Sequence, residues 1–306
     1  MKIFIPKIRE AWVVDRFRKE WINFNPKLNT HFIRKADIVW ILAPWLWDKL
    51  SEKHLISKKV ACTIHHIEND KFFQEVKRFD KLNTYVDVYH VISNKTYTQL
   101  CDLTDKRIVK IPFWVNQQIW KPLNNKSEIR KKFGFGEVDF LVGSFQRDTE
   151  GSDLISPKLI KGPDILVKLL KSIFVNNKNL KVVLTGKRRQ YLINNLENLK
   201  IPYFYFEDID EYQVNELYNI LNLYLVTSRL EGGPQAIVEC ANIGTPILST
   251  DVGIASEILH SKAIYNLENF QYSQTDEEFA HKNVVDLTLP NGMKKYRELF
   301  FDLNEN

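Results

Sequence analysis

Short apolar runs alternate with helical patterns along the whole chain, and this alternation restricts the fold more than any other feature of the sequence. The runs are rich in β-branched and aromatic residues and do not alternate between polar and apolar positions. Such runs are typical of parallel strands that helices cover on both sides. They lie at residues 2–5, 37–42, 59–64, 86–92 and 108–111, and again at 140–142, 180–184, 203–206, 223–226 and 246–248. The sequence therefore predicts an α/β protein with parallel sheets.

The two groups of predicted strands indicate two domains, because a turn-rich polar segment at 121–125 separates them. We predict a short N-terminal Rossmann-like domain over residues 1–115 and a second Rossmann-like domain over 116–285, with their sheets facing each other across a cleft. Further helical patterns occur at 163–173, 212–221, 234–242 and 293–301. The last belongs to a C-terminal segment, 286–306, which we expect to pack back toward the N-terminal domain.

Composition supports a soluble protein of this size. The chain has 306 residues and is 44% hydrophobic, enough for two packed cores. Its three cysteines, Cys62, Cys101 and Cys240, have no disulfide or metal-ligand spacing, which is typical of a reducing compartment. The longest apolar run, 38–47, is interrupted by a proline and is about half as long as a bilayer span requires. We expect a cytoplasmic protein, with a peripheral position at the cytoplasmic face of the membrane as the alternative.

Charge and tryptophan are distributed unevenly along the chain. Residues 1–122 carry 22 Lys and Arg against 13 Asp and Glu, whereas residues 123–306 carry 21 against 25. All seven tryptophans lie in the first 120 residues. The basic N-terminal region therefore favours an anionic molecule or a membrane surface as partner. Nucleic acid is not expected, since the excess of charge is modest and no recognition motif is present.

Some of these tryptophans are candidates for contact with a ligand, because indole faces stack on the C–H surfaces of sugars and also lie at membrane interfaces. We select Trp12, Trp45 and Trp47 for this role. We assign Trp21 and Trp40 to the core, which is the more common place for a tryptophan in a strand or in an amphipathic helix.

The segment 228–239 carries the strongest local signal in the chain. It follows the apolar run 223–226 and contains Glu231, Gly232, Gly233, Pro234 and, in the helical pattern that follows, Glu239. Two glycines allow a close approach of ligand to backbone, and the free amides of a helix start attract anions. The alternative is a capped helix with a surface glutamate at each end.

The spacing of Glu231 and Glu239 resembles the E-x7-E motif of the retaining glycosyltransferases of family 4, the glycosyl transferases group 1, which have the GT-B fold. The sequel at 240–257 resembles the A-x-G-x-P stretch of the same family, and the similarity covers roughly residues 138–260. This resemblance implies a metal-independent enzyme without a cofactor. It implies that a sugar moves, with retention, from a nucleotide diphosphate sugar, UDP- or GDP-linked, to a glycan, lipid-linked or other hydroxyl acceptor.

The resemblance also implies roles for individual residues. Glu231 would contact the donor sugar, Glu239 the ribose hydroxyls, Lys161 and Arg147 the diphosphate, and His65 the sugar from the N-terminal domain. The amides of Gly232 and Gly233 would approach the sugar or its phosphate. Trp12, Trp45 and Trp47 would contact the acceptor, which the basic N-terminal region favours as an anionic molecule. The remaining donor-binding residues that it implies are Pro234, Gln235, Gly143, Thr185, Lys187, Phe206 and Asp208.

The chain departs from the family pattern at one of these positions. Thirteen residues, 148–160, separate Arg147 from Lys161, which lie a few residues apart in the family. Lys187, Arg188 and Arg189 are therefore alternative partners for Lys161.

The acidic run 207–211 contains a D-x-D pattern that can bind a metal in other glycosyltransferases. Because it precedes a helical pattern, we predict helix capping instead and expect no metal site. Two other functions stay open. One is a nucleotide-sugar epimerase of the same fold. The other is a non-catalytic nucleotide-sugar binder or partner subunit.

Overall fold

The computed structural model describes residues 1–7 and 13–305, and for residues 69 and 70 it describes the backbone alone. The chain forms two compact units. Unit 1 comprises residues 1–114 together with 289–306, and unit 2 comprises residues 115–288. The C-terminal helix thus belongs to the first unit although it follows the second in sequence.

The described part of unit 1 contains a parallel sheet of five strands in the order β1-β2-β3-β4-β5. Its strands are β1 (Ile3–Phe4), β2 (Ile38–Ile41), β3 (Lys59–Ile64), β4 (Val88–Val91) and β5 (Arg107–Lys110). Its α-helices are α1 (Val13–Phe24), α2 (Glu52–Ile56), α3 (Asn69–Tyr85), α4 (Asn94–Cys101) and the C-terminal α12 (Lys294–Glu305). Short 3-10 turns occur at Pro26–Leu28, Ile33–Lys35, Pro44–Lys49 and Asn291–Met293.

Helix α12 is held in unit 1 by an aromatic cluster. Tyr296 and Phe300 pack against Trp40, with ring centroids 5.4 and 4.9 Å apart, and Phe300 also meets Trp21 edge-on at 5.4 Å. Trp21 and Trp40 are both fully buried, so their assignment to the core is confirmed. Burial of several large rings in one place explains how a helix so distant in sequence is recruited.

A chain of hydrogen bonds crosses the same core. Trp40 Nε1 donates to Thr63 Oγ1 at 3.0 Å, and the Thr63 hydroxyl donates to His90 Nδ1 at 2.9 Å. His90 Nε2 donates to the carbonyl oxygen of Ile111 at 2.7 Å, which the Tyr296 hydroxyl also approaches at 3.2 Å. Buried polar groups need such partners, and here they join β2, β3, β4 and α12.

The described part of unit 2 contains a parallel sheet of six strands in the order β11-β10-β9-β6-β7-β8. Its strands are β6 (Phe140–Gly143), β7 (Leu180–Thr185), β8 (Tyr203–Phe206), β9 (Leu223–Val226), β10 (Ile247–Thr250) and β11 (Ile264–Tyr265). Its α-helices are α5 (Lys126–Lys132), α6 (Pro163–Asn176), α7 (Gln190–Asn198), α8 (Glu211–Ile220), α9 (Gln235–Ile243), α10 (Ala255–Ile258) and α11 (Glu277–Val284). Short 3-10 turns occur at Leu159–Lys161, Ser261–Ala263, Phe270–Tyr272 and Val285–Leu287.

Each apolar run predicted as a strand overlaps one of β1 to β10, and the α/β class with two parallel sheets is confirmed. The sequence patterns missed the short edge strand β11 and several polar helices, among them α4, α5, α7 and α11. These elements are short, so their sequences show little periodicity, and packing against the rest of the unit stabilises them more than their intrinsic propensity does.

Candidate functional site

The candidate site lies in unit 2, where loops leave the carboxyl ends of β6 and β9. These two strands are neighbours in the sheet, yet β6 leads on to β7 at one side whereas β9 leads on to β10 at the other. The strand order therefore reverses between them. In open parallel sheets, ligands bind in the crevice at such a reversal.

Glu231 and Lys161 meet at this crevice. Lys161 Nζ forms an ion pair with Glu231 Oε1, although seventy residues separate the two in sequence. The Ser228 hydroxyl lies 3.2 Å from the same carboxylate oxygen and 3.0 Å from Gln146 Oε1. Only 14% of the Glu231 side chain is exposed, so the alternative of a surface glutamate is wrong at this position.

Two glycines allow the loops of the site to converge. Gly162 has φ +63°, and a Cβ atom there would lie 1.8 Å from the carbonyl oxygen of Thr227. Gly253 has φ +51°, and a Cβ atom there would lie 2.3 Å from the carbonyl oxygen of Gly232. Both positions combine the left-handed conformation with backbone contact, so only glycine fits. The loops after β6, β9 and β10 are thereby packed backbone against backbone.

Arg229 holds the loops after β6 and β9 together through hydrogen bonds to Asp164 and to the backbone of Leu159. The Arg229 guanidinium binds both carboxylate oxygens of Asp164, at 2.7 and 2.6 Å, and donates to the carbonyl oxygen of Leu159 at 2.7 Å. The hydrogen bonds from Arg229 lower the pKa of Asp164 and keep it ionised. Bidentate pairs of this kind fix orientation as well as charge. The start of α6 is thus tied to the loop that carries Glu231.

The 148–160 insert is closed at its base. The Asp148 carbonyl oxygen accepts from Lys158 N at 2.8 Å, and residues Thr149 and Pro157 form an antiparallel bridge. Just before the insert, Gln146 Nε2 donates to the carbonyl oxygen of Lys161 at 2.8 Å. The chain therefore returns to its starting point, and the insert does not carry Lys161 away from the end of β6. Arg147, at the mouth of the insert, is exposed.

A buried ion pair anchors the base of the insert. Arg189 Nε donates to Asp148 Oδ2 at 3.0 Å, and the two side chains are 0% and 2% exposed. Arg189 also donates to the carbonyl oxygen of Thr185 at 3.0 Å, and Tyr191 N donates to Asp148 Oδ1 at 3.2 Å. Burial raises the pKa of Asp148, which Arg189 opposes. Arg189 is therefore a structural residue, and its prediction as an alternative partner of Lys161 is wrong.

Of the other two cations of that cluster, Lys187 is exposed and Arg188 is half-buried. Lys187 Nζ is 3.7 Å from Asp208 Oδ1, and both side chains are largely exposed. Arg188 has φ +67° and donates to the carbonyl oxygen of Gly151, within the insert. The exposed Lys187–Asp208 pair contributes little to stability.

Glu239 lies on α9 and is 5% exposed, so it is not the surface glutamate of the alternative hypothesis. Its Oε2 accepts a hydrogen bond from the Tyr218 hydroxyl at 3.2 Å. Burial raises the pKa of Tyr218 well above its usual value, which keeps the phenol protonated as a donor. Pro234 is the N-cap of α9 rather than its first helical residue, and Gln235 opens the helix.

Two further residues that were predicted to bind the donor, Gly143 and Phe206, pack against neighbouring side chains. Gly143 packs so closely on Leu221 that a Cβ atom would lie 2.4 Å from Leu221 Cδ1. The Phe206 ring meets Phe133 edge-on at 5.2 Å. Asp210 of the acidic run accepts from Gln213 N at 2.8 Å in a capping box at the start of α8, which confirms the prediction of capping. Within residues 1–7 and 13–305 no group of three His, Cys, Asp or Glu residues is arranged to hold a metal.

The candidate residues of the N-terminal region lie in unit 1. His65 Nε2 donates to the carbonyl oxygen of Leu42 at 2.8 Å, and its ring is 6.5 Å from that of Trp45. Trp47 belongs to the hydrophobic core and is only 6% exposed, so we assign it to packing rather than to an acceptor. Trp12 lies outside the described residues.

Sequence reasoning missed Gln146 and Ser228, which join Lys161 and Glu231. Ser228 stands at the start of the motif segment, and Gln146 precedes the selected Arg147. A polar side chain within four residues of the end of a predicted strand is the signal that could have identified both.

Comparison with solved structures identifies the architecture. The structure of HepE from Anabaena, in complex with UDP-glucose, superposes with a TM-score of 0.73 at 14% identity, covering 98% of this chain and 99% of that one. The sucrose-phosphate synthase of Thermosynechococcus elongatus gives 0.67 at 14% identity, covering 97% and 81%. A glycosyltransferase from Rickettsia africae gives 0.64 at 16% identity, covering 98% and 84%. The fold is GT-B.

Sequence comparison agrees with this GT-B fold. Residues 155–280 match the family described as Glycosyl transferases group 1. No curated protein has a sequence similar enough to match this chain. The family match covers 126 of the 306 residues, and the solved structures support the GT-B fold over nearly the whole chain. Among the helices of the described residues, none is long and apolar enough to cross a membrane.

Proposed function

We propose that this chain is a retaining, metal-independent glycosyltransferase that moves a sugar from a UDP-sugar to a hydroxyl acceptor. The observation that carries the proposal is the meeting of Lys161 with Glu231 at the point where the strand order of unit 2 reverses. A cation, a carboxylate and the start of a helix stand together there, as the binding of a phosphorylated sugar requires.

Lys161 and Arg147 stabilise the leaving group. Departure of a nucleoside diphosphate adds negative charge to the phosphate, and positioned cations and helix amides stabilise that charge in the transition state. Lys161 exchanges its bond with Glu231 for the phosphate, which releases the Glu231 carboxylate toward the hydroxyls of the sugar. The amides of Gly232 and Gly233 face the same phosphate, and Glu239 accepts from the ribose.

The leaving phosphate itself receives the proton of the attacking hydroxyl. No protein nucleophile is invoked, and the new bond forms on the face that the leaving group vacates, which retains the configuration. UDP is the proposed nucleotide because HepE from Anabaena, similar over nearly the whole chain, was solved with UDP and with UDP-glucose. We propose an anionic acceptor for the basic N-terminal region.

The test is turnover of UDP-glucose, measured as UDP release, with the anomer of the product read by NMR. Glu231→Gln and Lys161→Gln are each expected to lower kcat by about 100- to 1000-fold. Lys168→Gln, an exposed lysine on α6, is the matched control and should leave kcat unchanged. EDTA should not affect the rate. Normal turnover by either site variant, or an inverted product, would contradict the mechanism.

A second pair of variants identifies the cation that acts with Lys161. Arg147→Gln should lower kcat, whereas Arg188→Gln should not, because Arg188 is bonded to the insert. The reverse result would assign the role to Arg188. Epimerised donor as the product without acceptor would indicate an epimerase, and donor binding without turnover across acceptors would indicate a non-catalytic binder.

A further inference from the structure

Unit 1 contains a cavity of about 450 Å³ at the carboxyl ends of β1 and β2. Four of its nine lining residues are basic: Lys7, Arg18, His31 and Lys49. The other five are apolar and include Ile5 and Leu46. A volume in this range accommodates a small organic ligand.

The basic side chains around the cavity are not neutralised within the described residues. No described Asp or Glu lines the cavity, and none of the four basic side chains takes part in an ion pair among residues 1–7 and 13–305. Asp15, three residues before Arg18 on α1, partly offsets the Arg18 charge. The like charges of Lys7, Arg18 and Lys49 around one concavity repel one another and focus a positive potential, which favours an anion.

Of these four basic residues, Arg18 is the best placed to bind an anion in the cavity. Its Nε donates to the carbonyl oxygen of Ile5 at 2.9 Å, which holds the guanidinium at the cavity wall. In the described part of the chain its two terminal nitrogens have no hydrogen-bond partner. A guanidinium anchored through Nε presents those nitrogens as a fork that matches a phosphate.

The cavity is also divided by polarity. Ile5 and Leu46 are buried and form its apolar floor, whereas Lys7, His31 and Lys49 are exposed at its rim. A ligand that fills it would therefore place an anionic group at the rim and an apolar group against the floor. An inorganic anion would leave the floor unused, and a neutral detergent would leave the cations unpaired.

We propose that this cavity binds a small amphiphile in which a phosphate group is joined to an alkyl chain. The proposal rests on the cavity alone, and it would stand if the chain transferred no sugar. Binding is therefore measured without a nucleotide sugar, so that its failure and the failure of the proposed glycosyltransferase activity are distinguishable.

The experiment is calorimetric titration of the full chain with octyl phosphate, inorganic phosphate and octyl glucoside. Octyl phosphate should bind about tenfold or more tightly than inorganic phosphate, the gain expected from burying about two methylene groups. It should also bind about tenfold or more tightly than octyl glucoside, which has the same alkyl chain but no charge to pair with the cations. Lys49→Glu should weaken the binding of octyl phosphate by about tenfold, because it replaces an attraction between charges at the rim by a repulsion. Lys106→Glu is the matched control, an exposed lysine beside β5 at the opposite edge of the sheet, and should leave affinity unchanged.

Several results would overturn the proposal. Absence of octyl phosphate binding would do so, as would equal binding of octyl glucoside or of inorganic phosphate. Equal weakening by Lys49→Glu and Lys106→Glu would show a general effect of net charge. Vesicles of phosphatidylglycerol distinguish a lipid surface from a free ligand. If the protein bound these vesicles but not octyl phosphate, and both variants weakened vesicle binding equally, the basic residues would serve a membrane surface and the proposal would be wrong.

Discussion

Acid is expected to destabilise unit 1 through His90. Both nitrogens of this fully buried imidazole are committed in the neutral form, since Nδ1 accepts from Thr63 and Nε2 donates to the carbonyl oxygen of Ile111. Protonation would place a second N–H against the Thr63 hydroxyl and would bury a charge. Burial accordingly lowers the pKa of His90 from 6.5 to about 4, against the hydrogen bond to Ile111, which raises it.

The size of the effect follows from the difference in proton binding between the folded and unfolded chains. The unfolded chain takes up a proton on this side chain near pH 6.5, whereas the folded chain resists until about pH 4. The contribution of His90 to the free energy of unfolding is therefore complete above pH 6.5 and is lost as the pH falls to 4. At 1.36 kcal/mol per pKa unit, the loss is about 3 kcal/mol.

The assay is urea denaturation between pH 7.5 and pH 4, followed by tryptophan fluorescence. Six of the seven tryptophans lie within residues 1–114, so the signal reports unit 1. His90→Gln keeps an amide that can donate to Ile111 but does not titrate. We expect it to be less stable than wild type at pH 7.5 by about 1–2 kcal/mol, yet to lose about 3 kcal/mol less on acidification.

His54→Gln, a change at a partly exposed histidine on α2, is the control and should keep the pH dependence of the wild type. If His90→Gln lost as much stability as wild type between pH 7.5 and pH 4, the buried neutral imidazole could not be the cause. A steeper loss would refute the sign of the argument.

Two further predictions concern unit 2. Gly162→Ala should lower the free energy of unfolding by about 3 kcal/mol or more, because its Cβ atom would meet the Thr227 carbonyl. Gly244 is also left-handed but has open space around it, so Gly244→Ala should lower it by about 1 kcal/mol. Equal shifts in melting temperature would refute the role of the Thr227 contact. Arg189→Met should cost about 3–5 kcal/mol because it leaves the Asp148 carboxylate buried and unpaired. The double variant with Asp148→Ala should cost less than the sum of the single changes in urea denaturation, and additive losses would contradict the pairing.

Much of the fold follows from local patterns. The strands at 59–64, 203–206 and 223–226 have the predicted bounds, because their apolar residues are bounded by polar turns. Helix α5 is different: its sequence is mostly charged, and it gains its position from Ile129 and Arg130, which are buried. Its helical state therefore depends on packing that its own periodicity does not reveal.

Some residues of the candidate site could be predicted from a local pattern and others could not. Glu231 and Glu239 stand in one continuous segment with its glycines and its helix, so a single stretch of sequence identified them. Gln146 and Ser228 escaped notice because their importance lies in contacts with residues that are distant in the chain.

The sequence by itself determined the two parallel sheets and the carboxylate motif, because strand periodicity and a strand–turn–helix junction are local properties. Only the tertiary structure decided what the cations do. Lys187 and Arg189 are two residues apart and chemically alike, yet one is exposed and the other is fully buried against Asp148. That buried partner, Asp148, lies 41 residues earlier, at the base of the insert. The insert returns to its starting point through backbone contacts, so that Lys161 reaches Glu231. Burial and pairing depend on which segments the fold brings together, and no local pattern contains that information.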